Sequence, residues 1–412
     1  MKLVQSFAVI TIVSLPLYVI RWQIGGIPTT LLEILILSTF FSWAIWLTFT
    51  KRAKDIFKFF KCPFFWPAAL FLLAGLISVW VSPDKKGALG IYKAYFIEPV
   101  LFALVVGDLI QRLDSFTWAI KFLVISGLWL SLLSIWQLIS SSNPLAPYEI
   151  GQGRVSAVYN SANALGLYLG PIVALTTGLL LNSSTWRSGK TLLKFLTLVL
   201  FLIVFYFTHS RGSWFGLVGI ASIYLLWWFY QKLSSNAKKW FVWGIKGLAA
   251  VFIIGSVYFF LNISSYAPNY KFSYPRKTDD TLTIRLCVWE GTKDLLVQYP
   301  IFGVGLDGFH SIYPKYRTCD NEPLMYPHNI FLNFWMETGI LGLLAFLWLV
   351  LVYFKKIFIA LSKNKENQIL SLSLLSAMVY LFIQGLVDVP YFKNDLSVEF
   401  WLLLTLTVLM RG

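Results

Sequence analysis

A chain of 412 residues that is 58% hydrophobic and 13% charged lies far from the roughly 25% charge of soluble domains, which excludes an ordinary soluble enzyme. The net charge of +15 comes from basic residues dispersed between apolar runs, which argues against a nucleic-acid partner. The aromatic content of 18% fits a chain that places Trp and Tyr at membrane interfaces.

Apolar runs of about 20 residues, long enough to cross a bilayer as helix, recur throughout. About twelve spans are expected, near 6–20, 28–49, 63–81, 95–110, 116–139, 160–182, 191–208, 213–231, 240–262, 328–353, 367–387 and 394–410. Pro16 and Arg21, not a small-residue cleavage site, close the first run, so it reads as a helix and not a signal peptide. Lys and Arg concentrate in the second loop (Lys51, Arg52, Lys54, Lys58, Lys61), the eighth (Lys232, Lys238, Lys239) and the tenth (Lys355, Lys356, Lys363, Lys365). Even-numbered loops and both termini are therefore expected on the cytoplasmic side. The third loop, with Lys85, Lys86 and Lys93, is an exception to that pattern.

The expected architecture is an all-α integral membrane protein, one polytopic domain over 1–412. One connection differs from the others. Residues 263–327 form a long extracytoplasmic loop, and loops of that length are functional or disordered. Within it "TLTIRLCVWEGTKDLLVQYP" places Ile284, Val288, Gly291 and Leu295 on one helical face, and Pro300 ends the helix. This helix would lie along the membrane as a lid or substrate platform. Cys287 and Cys319 share the loop, and either a disulfide or two free thiols fits the sequence.

Several motifs carry less than their form suggests. "GVGLDG" at 303–308 matches G-x-G-x-x-G, but no strand–helix context surrounds it, so a glycine-rich turn is the better reading. Ser210 adjoins His209, yet adjacent residues rarely form a nucleophile–base pair. Three histidines, His209, His310 and His328, are too few for a histidine-rich metal site.

The polar groups at the outer helix ends are more informative. Arg211 lies in "THSRGSWFGL", which joins two spans almost without a loop. Arg285 precedes Trp289 by four residues, so both share a helix face. Arg154 lies just before a span bearing Asn160 and Asn163, and His328 opens "HNIFLNFWMETGILG". Taken singly, each arginine could merely snorkel to headgroups. The stripe Asn329, Asn333, Glu337 could be an interhelical hydrogen-bonding row. Together, three arginines and a histidine suggest a site for a lipid-linked pyrophosphate. Arginine forks fit phosphate oxygens bidentately, and a histidine can take a proton from a hydroxyl.

On these residues the chain resembles the O-antigen ligase and O-antigen polymerase family of bacterial membrane glycan transferases. "SRGSWFGL" resembles the family's Ser-Arg-Gly helix junction, and "RLCVWEGTKDLLVQYPIFGVGLDGF" its order of Arg, Trp, Pro, Gly-x-Gly and an aromatic. His328, Asn329, Gly339 and Gly342 occupy the ligase pattern, although Leu343 stands where ligases often have Thr. The resemblance implies the bundle of lipid-dependent glycosyltransferases and transfer of a glycan from an undecaprenyl-pyrophosphate donor to a hydroxyl acceptor (a glycan, lipid A-core or other hydroxyl). It places the protein among membrane lipid in the bacterial cytoplasmic membrane, with the active site on the extracytoplasmic face. It implies His328 as base and Arg211, Arg285 and Arg154 on the pyrophosphate, with Ser210, Asn329 and Glu337 in support. Neither cofactor nor metal is expected. Asp279-Asp280, the best acidic pair in the loop, reads as a helix-start feature. The runner-up readings are a surface polysaccharide polymerase of the same family and, in another class, a lipid-linked sugar flippase.

Overall fold

The computed structural model describes residues 1–25, 27–183, 185, 188–266, 281–318, 324–363 and 367–408. Its elements in chain order are α1 (Lys2–Val13), β1 (Arg21–Ile24), β2 (Ile27–Thr30), α2 (Leu31–Phe49), α3 (Phe65–Val81), α4 (Lys85–Ile91), α5 (Glu98–Leu113), α6 (Thr117–Ser140) and α7 (Pro147–Gly151). They continue with α8 (Ala162–Leu181), α9 (Gly189–Thr208), α10 (Arg211–Lys232), α11 (Ser235–Leu261), α12 (Ile263–Tyr266), α13 (Thr281–Gln298) and α14 (Gly308–Ile312). The last three are α15 (Ile330–Lys363), α16 (Gln368–Gly385) and α17 (Asn394–Leu406). A π-helical stretch, Tyr92–Ile97, joins α4 and α5 into one rod.

The chain is an all-α integral membrane protein. Among the described residues its strands are a two-stranded antiparallel hairpin, with Arg21 opposite Thr30. Among the described residues nine helices are long and apolar enough to cross a bilayer. A tenth span arises if Ala53–Lys61 and Phe65–Val81, bent by 93°, count as one. Each of the twelve expected runs coincides with a helix, but α1 and α17 have only 12 and 13 residues. At 1.5 Å per residue they reach about 20 Å, short of the roughly 30 Å hydrocarbon core.

The fourth run starts earlier than its hydropathy suggests, because the rod extends over Lys85–Leu113. Lys93 is accommodated inside it by a 2.9 Å ion pair with Glu33. Lys85 Nζ donates to the Trp80 carbonyl and, at 3.0 Å, to that of Ser82. Two of the three lysines that break the charge pattern of the loops thus have partners within the protein.

At the centre of the bundle α8 packs against α6, α9, α10 and α16. Small residues permit the approach, as is usual where membrane helices meet. A Cβ on Gly170 would fall 1.8 Å from the Tyr380 ring, and Tyr380 Oη donates to the Gly166 carbonyl at 2.8 Å. By contrast α11 buries no residue.

The long connection is ordered over its described part. On α13, Val288, Gly291 and Leu295 are buried and Ile284 is partly buried, as the helical face predicts. Val288 and Leu295 join Val304, Phe309, Tyr313, Leu332 and Met336 in a separate apolar cluster at the start of α15. The glycine-rich stretch is a turn, with Gly303, Gly305 and Asp307 all at positive φ. It wedges into a break in α15 at Gly339, where φ is +67° and ψ −177°. Ile340 N donates to Ile301 O at 2.9 Å, and Val304 N to Met336 O at 2.7 Å.

A Cβ on Gly339 would sit 2.4 Å from the Ile301 carbonyl, and this φ/ψ region is essentially closed to other residues. Gly339→Ala is therefore expected to remove about 1–3 kcal/mol of stability, seen as a lower thermal midpoint in detergent. Gly255→Ala, where no atom lies within 4 Å, is the control. A wild-type midpoint for Gly339→Ala would mean that the break does not need glycine.

Candidate active site

Three successive residues after α16 collect the site. The Leu386 carbonyl accepts from Asn329 Nδ2 at 3.1 Å. The Val387 carbonyl accepts from Arg285 Nε at 2.9 Å. Asp388 Oδ1 lies 3.4 Å from His328 Nδ1, an ion-pair distance without hydrogen-bond alignment.

Each partner is held by its own element. Asn329 caps α15, its Oδ1 accepting from the amides of Phe331 and Leu332 at 3.0 and 3.1 Å, the usual work of an N-cap asparagine. His328 precedes the cap with φ +48°, a left-handed conformation that histidine tolerates better than most residues. On α13 the four-residue spacing works as expected. Arg285 reaches Val387, and Trp289 Nε1 donates to the Pro327 carbonyl at 2.8 Å. One face of the loop helix is thus fastened to both sides of His328.

Electrostatics ties the group together. Burial lowers the Arg285 pKa, the Asp388 carboxylate opposes that, and the positive charge of Arg211 adds to it. Burial pushes Asp388 up, but His328, the Val389 amide and Lys393 outweigh it and hold the carboxyl below its usual value. Burial also lowers Lys393, against the pull of Asp395 and Asp388. Arg211 is the first residue of α10, is exposed, and makes no hydrogen bond or ion pair among the described residues. Ser210 sits at the N-cap of α10 without a side-chain cap bond.

Arg154 has a different setting. Its Nε donates to the Thr208 carbonyl at 2.9 Å and one terminal nitrogen to Asn163 Oδ1 at 3.1 Å. The other lies 2.9 Å from Glu149 Oε2. The guanidinium thereby anchors the segment before α8 to the end of α9, next to Ser210. Asn160 is exposed. Glu337 is buried against the glycine-rich turn and accepts from the amides of Asp307 at 2.6 Å and Phe309 at 3.4 Å. Asn333 is buried with neither side-chain atom bonded among the described residues, so the row Asn329–Asn333–Glu337 is not a continuous interhelical bonding stripe.

Asp388 is the residue that the sequence reading missed. The available signal was an acid in "LVDVPYF", between two apolar runs of a chain with only 19 acidic residues. Cys287 is disulfide-bonded and Cys62 is free. Cys319 and the Asp279-Asp280 pair lie outside the described residues. Among the described residues no group of three or more His, Cys, Asp and Glu is placed to hold a metal ion.

A bundle of apolar helices with two arginines, a histidine and an aspartate gathered beside its long connection defines a multi-pass membrane protein with a basic polar site. Residues 196–347 match the model of the family described as O-antigen ligase. The matched stretch contains Arg211, Arg285 and His328, whereas Asp388 and Arg154 lie beyond it. The chain is also 25% identical to an O-antigen ligase of Salmonella typhimurium over 315 residues, covering 73% of this chain and 72% of that protein. A Rickettsia conorii protein named as a candidate polysaccharide ligase is 25% identical over 52% of this chain and 51% of its own length. A like-named Rickettsia typhi protein is 28% identical over 43% of this chain and 45% of its own length.

Proposed function

We propose that this protein transfers a glycan from an undecaprenyl-pyrophosphate donor to a hydroxyl acceptor at the outer face of the bacterial cytoplasmic membrane, as an O-antigen ligase does. The observation that carries the proposal is the gathering of His328–Asp388 with Arg211 and Arg285. Asp388 faces Nδ1 of His328, which leaves Nε2 to receive the proton of the acceptor hydroxyl. The hydroxyl oxygen forms the new bond to the sugar's anomeric carbon as the bond from that carbon to the diphosphate oxygen breaks, with inversion. The electron pair leaves on the lipid diphosphate. Arg211 and Arg285 stabilise the charge that develops there. The uncapped first-turn amides of α10 favour an anion at the same place. Arg154 and Glu337 hold the framework, Arg154 through the α9–α10 junction and Glu337 through the glycine-rich turn, while Asn329 caps α15 and Ser210 stands at the uncapped start of α10.

Two arginines supply the neutralisation that a divalent cation would otherwise give, so the reaction is proposed to be metal-independent. The test is transfer by purified protein from a lipid-pyrophosphate glycan to a hydroxyl acceptor in excess EDTA. Product in EDTA is the expected result. Loss of product with rescue by Mg²⁺ or Mn²⁺ would overturn the mechanism. Movement of the donor across vesicles without any transfer would overturn the enzyme reading in favour of a transporter. Leu343 in the place of the ligases' frequent Thr keeps a polymerase in view. An acceptor that is itself a lipid-linked glycan, used in preference to every other hydroxyl, would decide for that reading.

A further inference from the structure

A second polar cluster lies at the far end of the bundle. From the break at Gly339, α15 rises about 26 Å to Lys356, close to the roughly 30 Å of a hydrocarbon core. Lys356 therefore stands at the membrane surface opposite His328. A cavity of about 200 Å³ opens there, and its lining includes Asp55, Lys58, Phe59, Lys61, Asp108 and Lys356. Lys61 belongs to the second loop and Lys356 to the tenth, two of the three loops richest in basic residues.

One wall of the cavity is a 3₁₀ helix, Ala53–Lys61, whose three residues per turn set side chains three apart in line. One such row is Asp55, Lys58 and Lys61. Another is Phe57 and Phe60, whose rings stack at 6.1 Å and which are 66% and 53% exposed. A charged row beside an apolar row suits a segment lying in the membrane interface, with phenylalanines toward acyl chains and lysines toward headgroups. The acids of the cavity are already engaged. Asp55 lies 2.8 Å from Lys58 and 2.9 Å from Arg112, and Arg112 Nε donates to Asp108 at 2.6 Å. Trp43 Nε1 donates to the same Asp108 oxygen at 2.8 Å. This network fastens the 3₁₀ helix to α2 and α5. Lys61 makes no hydrogen bond or ion pair among the described residues, and Lys356 donates only to the Thr407 carbonyl, at 3.3 Å. Four cations, Arg112 included, thus meet two carboxylates, and the charges of Lys61 and Lys356 are left unbalanced beside one cavity.

We propose that this cavity binds the phosphate headgroup of an anionic phospholipid from the leaflet on that face, with Lys61 and Lys356 on the phosphate and the acyl chains beside Phe57 and Phe60. The proposal is independent of the transfer reaction set out above. A phosphodiester anion brings the negative charge that the two lysines lack, and hydrogen bonds between ionised groups are the strong ones. A free phosphate would meet the lysines but leave the phenylalanine row without a partner. A zwitterionic lipid would suit the phenylalanines but bring its own cation to the two already there. Any lysine near an anionic leaflet is attracted to it. The cavity adds position, because lysines from two loops far apart in the chain converge on one headgroup. The bound lipid ties the 3₁₀ helix to the far end of α15.

The test is binding of phosphatidylglycerol to the purified full-length protein in detergent, beside phosphatidylcholine and inorganic phosphate. Phosphatidylglycerol is expected to bind and to raise the thermal midpoint, as a ligand of the folded state does, while the other two leave it unchanged. Lys61→Gln/Lys356→Gln should weaken phosphatidylglycerol binding about tenfold or more, and Lys238→Gln/Lys239→Gln, which removes the same charge from another loop, should change it less than about twofold. Equal weakening by both pairs would mean diffuse attraction by net charge and would overturn the site. Equal binding of phosphatidylcholine would do the same, and competition by inorganic phosphate would overturn the lipid assignment. A second measurement uses no variant. Cys62 is free and lines the cavity, so alkylation of its thiol reports whether the cavity is occupied. Phosphatidylglycerol should slow alkylation at Cys62, and phosphatidylcholine should not. An unchanged rate, or equal slowing by both lipids, would overturn the proposal even where the double variant fails to fold.

Discussion

His328→Ala is expected to lower glycan transfer by about 10²–10⁴-fold, the range for loss of a general base. Folding should change little. The imidazole is partly exposed at a helix start, and the cap that secures α15 is the neighbouring Asn329. The measurement is transfer rate per molecule of correctly inserted protein, with the detergent thermal midpoint taken in parallel. A variant that keeps near wild-type transfer removes His328 from the chemistry. One that loses transfer and several degrees of midpoint together points to a structural role for the imidazole instead.

Asp388→Asn should produce the second-largest loss, roughly a hundredfold or more. The carboxylate faces Nδ1 and so favours the tautomer in which Nε2 is unprotonated. An amide in its place can donate to Nδ1 and leave the proton on Nε2, where no base remains. The carboxyl is held below its usual range by His328, the Val389 amide and Lys393, against the effect of burial. The contribution of Asp388 to stability is therefore present above its unfolded pKa and is lost only as pH falls through the lower folded value. At neutral pH the charge is fully available to the imidazole. The decisive readout is the double variant, because groups acting as a unit are strongly non-additive. His328→Ala/Asp388→Asn should be no slower than His328→Ala alone. A further multiplicative loss would place Asp388 on a separate task, such as holding Lys393 or Arg285.

Much of this was legible because it is local. Apolar runs become helices wherever the run is long enough, and Arg285 and Trp289 share a face because four residues make about one helical turn. The same rule identified "GVGLDG" as a turn, since glycines there serve positive φ. What remained hidden depends on partners far away in the chain. Lys93 shortens the fourth run on paper, yet Glu33 neutralises it across two helices. Arg154 looks like a phosphate ligand until Glu149, Asn163 and the Thr208 carbonyl surround it. Glu337 has a helical spacing from Asn329 that suggests a shared task, but the break at Gly339 brings a turn from another segment against it. Asp388 was overlooked because an acid between two apolar runs marks a position without saying what it faces; its meaning comes from His328, which no periodicity connects to it.

The tie points at 386–388 also set an order of assembly. The bond from Arg285 to Val387 spans 102 residues, and that from Asn329 to Leu386 spans 57. Contacts so distant in sequence form only after the intervening loops have closed. During synthesis the loop helix and the start of α15 emerge long before their common anchor. His328 therefore has no aspartate beside it until α16 has been inserted. Any activity that needs His328 and Asp388 together is therefore gained only once α15 and α16 are both in place.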